Sequence, residues 1–187
     1  RFQKDTVYGN LTSRVLQYIN ANLQISDTLK LLRLKTNSYK NAIPVEKRFP
    51  LIIYQCAYNG MSYENIPLFE RLASNGFVVA CITSVGSSPG TLPTRPAALL
   101  EQVDDGIFAQ RYLKTASDID SAKTGLIGYS WGGLASLIMI MNEKDIKADL
   151  SLDGSEMFYY RDSDEETDDF NQLKQSNYFH PGNIQVT

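Results

Sequence analysis

The sequence is poor in the residues on which several large function classes depend. It has one histidine, His180, and two cysteines, Cys56 and Cys81. The cysteines show no metal-ligand spacing, and neither a nucleotide or flavin motif nor a Gly-rich phosphate loop appears. We therefore expect no metal and no cofactor. Dense Lys/Arg runs are also missing, and the net charge is −3 with a pI near 5.2. That excludes a nucleic-acid or anionic-membrane partner recognised by charge. No apolar run approaches the roughly 20 residues of a membrane span; the longest, at 134–141, has the size of a core helix.

Both cysteines lie on or at the end of apolar runs, which makes them buried thiols. A disulfide stays open if their strands are neighbours. The chain starts with Arg1, so we expect a processed or excised chain. Its compartment is left open between the cytoplasm and a secreted or periplasmic location after signal removal.

At 187 residues the chain suits a single domain with a real core, and its composition is that of a globular protein. Residues 50–55 form a short continuous apolar run, which reads as a strand buried on both faces. Residues 62–74 carry a helical stripe at Ile66, Phe69, Leu72 and Ala73, with Asn75-Gly76 as the stop. Residues 77–82 read as a strand, 97–115 as a helix, 123–129 as a strand, 131–142 as a helix and 148–153 as a strand. Strands alternating with helices predict an α/β fold, with a parallel sheet covered by helices on both faces.

Around this core, residues 1–48 are expected to hold N-terminal strands and a helix, at 13–23 and 27–36. Residues 84–96, rich in Pro, Gly and Ser, are an irregular loop. Residues 161–169 are dense in acid and show no core-forming pattern, so 154–183 reads as a lid-like acidic insertion. Residues 184–187 resemble the opening of a further strand. Asp104-Asp105 reads as a solvated helix face.

The chemistry concentrates in Gly128-Tyr129-Ser130-Trp131-Gly132. Gly-x-Ser-x-Gly alone is a weak pattern, but here a strand leads into it and a helix leaves it. A sharp strand-to-helix turn strains the serine backbone, and its neighbours two residues away must lack a Cβ. Ser130 then projects at the strand's carboxyl end, where open α/β sheets bind ligands. The N–H of Trp131 opens a helix, where the dipole favours an anion.

Residues 49–54, then 72–80, then Gly128-Tyr-Ser-Trp-Gly-Gly133 together resemble the α/β-hydrolases. Within that superfamily they look most like the platelet-activating-factor acetylhydrolase and dienelactone-hydrolase-like esterases, over residues 45–155. The resemblance implies a serine hydrolase of esterase type acting on a small-molecule ester or acyl substrate. It makes Ser130 the nucleophile and Asp153, 23 residues later, the triad acid. Trp131 and Tyr58 become the oxyanion donors, although Cys56-Ala57 stands where the family has His-Gly. In the family the catalytic histidine lies after a later strand, whereas His180 sits in a turn entering one. We therefore expect a truncated hydrolase whose base lies beyond Thr187, with His180 as an atypical base the alternative. A non-catalytic binding domain on the same fold is the competing function. Tyr58, Trp131 and residues 157–160 line either an apolar pocket or the core.

Overall fold

The computed structural model describes residues 36–39, 42–43, 45–60, 62, 64–83, 92–156 and 163–184. The elements expected at 13–23 and 27–36 lie outside the described residues, save for Thr36, as do 84–91, 157–162 and 185–187. The described chain runs β1 (Phe49–Gln55), α1 (Ile66–Ser74), β2 (Val78–Ile82), α2 (Pro96–Leu113), β3 (Ile119–Tyr129), α3 (Trp131–Asn142), β4 (Ile146–Leu152) and α4 (Asp164–Gln175). A 3-10 turn, Pro181–Asn183, follows.

The strands form one all-parallel sheet in the order β2-β1-β3-β4. β1 explains why a strand can be apolar throughout. Side chains alternate between faces, so Leu51 and Ile53 enter a large core with α2, α3 and α4, including Leu99, Val103, Leu134, Ile138 and Leu173. Ile52 and Tyr54 enter a smaller one on the other face, against Leu68, Phe69 and Leu72 of α1. Helices thus cover both faces, as the strand–helix alternation predicts.

Element boundaries differ where local chemistry overrides the apolar pattern. α1 begins at Ile66 with Pro67 in its first turn, where proline's missing N–H costs nothing. Its stop holds, with Gly76 at φ 86°. β3 begins at Ile119 rather than 123, and its exposed segment 121–123 carries a Lys123–Asp120 ion pair at 3.0 Å. β4, expected as a buried strand, is largely exposed, with Leu150 at 51%. Among the described residues it is paired only through β3, at the sheet edge.

The acidic segment is the clearest departure. From Ser163 on it forms α4, capped by Ser163, whose Oγ accepts from the Glu166 N–H at 3.2 Å. Three acidic residues occupy the first turn, where the helix dipole favours negative charge. Leu173 is fully buried in the main core. Asp169 is also buried, and it pairs with Arg95 at the start of α2 at 3.0 Å. A narrow stripe of Asp169, Phe170 and Leu173 suffices for docking once an arginine meets the carboxylate. Asp104, read as solvated, accepts from the Tyr178 hydroxyl at 2.7 Å and ties the chain after α4 back to α2.

Candidate functional site

The chain enters β1, moves to β2 on one side, then crosses back to place β3 on the other side of β1. The direction of winding therefore reverses between β1 and β3. The crevice beyond the carboxyl ends of two such strands is where open α/β sheets receive ligands. Two segments meet there: residues 56–60 after β1, and the turn from β3 into α3.

In the turn, Ser130 has φ 52° and ψ −120°, a conformation costing of order 1–3 kcal/mol for a residue with a Cβ. Neighbouring backbone holds it there. The Ser130 N–H donates to Leu152 O at 3.1 Å, and the Ser130 carbonyl accepts from Gly133 and Ser155 N–H, each at 2.9 Å. A Cβ on Gly128 would lie 2.4 Å from Gly132 O, and one on Gly132 only 2.1 Å from Gln55 O. Gly132 is required because the turn is pressed against the end of β1, and Gly128 because the chain folds back on it at the start of α3. Ser130 is partly exposed, whereas Trp131 is buried in the main core.

The facing loop is pinned at both ends. The Tyr58 ring meets Trp131 edge-on, with centroids 6.1 Å apart. Its hydroxyl donates to the Leu92 carbonyl, and Asn59 holds Leu92 through side-chain bonds at 3.2 and 3.3 Å. Asn59 takes φ 52°, and Gly60 N–H closes the turn onto Ala57 O at 2.7 Å. Inside the turn sits Glu64, a residue the sequence reading did not single out. Its Oε1 accepts from Ala57 N–H at 3.0 Å, and its Oε2 occupies the space beside Gly60. Burial raises its carboxyl above the ordinary range, partly offset by the Ala57 hydrogen bond. No sequence signal marked it, because the helix was read as starting at 62, which made Glu64 one more helical surface charge.

Asp153 follows β4 at φ 49° and is exposed. The bonds from Ser130 to Leu152 and Ser155 place its loop directly against the serine backbone. His180 lies elsewhere. It is exposed, with Nε2 2.9 Å from Asn177 O. The surrounding segment is fastened to the far end of α3, through Asn183 to Met141 O and Asn142 to Tyr178 O, each at 2.8 Å. α3 has 12 residues, so roughly 16 Å of helix separates that end from Ser130. The structure brings Ser130, Trp131, Tyr58 and the Asp153 loop together, and leaves His180 out. Among the described residues, no group of three or more His, Cys, Asp or Glu is arranged to hold a metal ion. No helix among them is long and apolar enough to cross a membrane.

No protein-family model matches the chain, and neither does any curated protein. Solved structures do. A ferulic acid esterase from Streptomyces cinnamoneus superposes with a TM-score of 0.63 over 88% of this chain and 56% of its own, at 17% identity. The fold is that of the α/β-hydrolases. DcsB, solved with its substrate analogue, gives a TM-score of 0.50 at 22% identity, over 71% of this chain and 48% of its own. A protein assigned as a dienelactone hydrolase from Klebsiella pneumoniae gives 0.50 at 16% identity, over 59% and 50%. The chain spans about half the length of these three structures. In this fold the Ser130 turn joins β3, a central strand, to α3.

Proposed function

We propose that this chain carries the acyl-transfer site of a serine hydrolase of esterase type, with a carboxylic ester as substrate. Ser130 Oγ attacks the acyl carbonyl to form an acyl-enzyme that water then cleaves. Trp131 N–H and Tyr58 N–H take the developing oxyanion. Asp153 orients the base histidine and stabilises its imidazolium. The base is a group other than His180, which is fastened to the wrong end of α3. The naming of one structural neighbour as a ferulic acid esterase supports the ester class.

One observation carries the reading: a serine held at φ 52° between two glycines that nothing larger can replace. A strained turn of this kind lowers stability, which a purely structural connection has no reason to retain. The test is a fluorophosphonate probe read by mass spectrometry. The expected result is a slow adduct on Ser130, accelerated by added imidazole acting as the base, abolished in Ser130→Ala and unchanged in His180→Ala. Absence of any Ser130 adduct, with or without imidazole, overturns the proposal. It would favour the second reading, a non-catalytic binding domain, to which the remote His180 already lends support.

A further inference from the structure

Beneath α1, the fold brings together two side chains that the proposed chemistry does not use. Cys81 lies in β2 opposite Tyr54 of β1, and Cys56 follows Tyr54 by two residues. Residues two apart share a face of the sheet, so both thiols enter the smaller core with Tyr54 and Ile127. Their sulfurs are 3.4 Å apart, and both thiols are free. Disulfide sulfurs lie about 2.05 Å apart. Bond formation therefore requires an approach of about 1.4 Å, and any part of it that side-chain rotation does not supply moves the backbone, including that of Cys56.

That backbone is the root of the loop facing Ser130. The Cys56 carbonyl accepts from Gln102 Nε2 at 2.9 Å. It also lies where a Cβ on Gly132 would come within 2.6 Å of it. The next two residues, Ala57 and Tyr58, begin the loop that faces the serine. We propose that Cys56 and Cys81 are a site of thiol–disulfide exchange with low-molecular-weight disulfides such as glutathione disulfide. Closing the bond lowers the reactivity of Ser130. The bond-forming site stands independently, and only its effect on Ser130 rests on the serine-hydrolase reading.

The order of attack follows from exposure. Cys81 is partly accessible, whereas Cys56 is fully buried. Hydrogen bonding to Cys81 and burial both push the Cys56 thiol upward, so it keeps its proton. The Cys81 thiolate attacks one sulfur of glutathione disulfide, and the first glutathione leaves, taking up the proton that Cys81 released. Cys56 then attacks the Cys81 sulfur of the mixed disulfide. The second glutathione leaves with the proton that Cys56 gives up. Two protein thiols are oxidised to one disulfide, and one glutathione disulfide is reduced to two thiols. Closure draws Cys56 toward β2 and away from Gly132. Oxyanion donors must lie within about 2.7–3.1 Å of the charge they stabilise, and a shift of 1 Å costs on the order of a hundredfold.

The experiment incubates the 187-residue chain with glutathione disulfide, alkylates the remaining thiols with maleimide, and reads intact mass and fluorophosphonate labelling. The expected product is a monomer with both thiols lost and no retained glutathione. Its Ser130 labelling should be slower by about fivefold or more, with dithiothreitol restoring the rate. Cys56→Ser should stop at a glutathione adduct on Cys81, and Cys81→Ser should leave Cys56 unreacted. Two free thiols, a persistent adduct on the wild type or a bond between two copies overturns the site. Equal or faster labelling of the oxidised form overturns its effect. If neither form labels, the serine-hydrolase reading fails, and intact mass together with amide hydrogen exchange at Ala57 and Tyr58 decides this proposal. Unchanged exchange would then overturn the effect on the loop.

Discussion

Ser130 is costly to hold, and the cost is measurable. Its φ of 52° suits glycine far better than a residue with a Cβ. Ser130→Gly should therefore be more stable than Ser130→Ala by about 1 kcal/mol, in denaturant unfolding, with neither variant labelled. Equal stability would mean that the turn relaxes without strain. Gly132 has the opposite sensitivity. Its Cβ would fall 2.1 Å from a backbone oxygen of β1 that has no flexible end to move aside. Gly132→Ala should thus lose about 3 kcal/mol or more and separate the turn from the facing loop.

Two elements have meanings that come from their packing. The loop at 57–60 is shaped by Glu64, whose carboxylate takes the Ala57 N–H inside the turn. Glu64→Gln keeps an acceptor oxygen and should label at Ser130 close to the wild-type rate. Glu64→Ala leaves that N–H without its partner, and labelling should fall about tenfold, equivalent to about 1.4 kcal/mol, the scale of one hydrogen bond. Hydrogen exchange at the Ala57 amide should accelerate only in the alanine variant. α4 makes the second case. If it were a mobile lid, truncating Leu173 would barely affect unfolding. As a core helix with Leu173 fully buried, Leu173→Ala should cost about 2–4 kcal/mol.

Across the whole molecule, the thinly covered edge of the sheet should respond to pH. Desolvation, with the Glu156 charge adding to it, raises the Asp149 carboxyl to about 6. The folded state therefore favours the protonated acid. This contribution is fully present below the unfolded pKa of about 3.9 and is lost as pH rises through about 6. Asp149→Asn should then be more stable than the wild type at pH 7–8 and no different near pH 4, in thermal melts. The residue is exposed, so solvent screening keeps the gain below about 1 kcal/mol. A variant that melts identically at both pH values would remove β4 from the pH response.

The sequence alone determined the features with short range or strict period. A continuous apolar run located β1, a helical stripe located α1, the apolar run at 134–141 located α3, and Gly-Tyr-Ser-Trp-Gly located the turn to the residue. Each depends on backbone geometry that a few neighbouring side chains dictate. Pairing across the chain lay beyond its reach. Glu64 matters only because a turn closes around it, and Asp169 can be buried only because Arg95 arrives from 74 residues away. The remote position of His180 follows from two amide side chains that fasten its segment to the far end of α3. Whether Cys56 and Cys81 could meet depended on β1 and β2 being neighbours in the sheet. Local propensity carries no information on such contacts. They follow from sheet order and helix docking, which burial of the whole core selects.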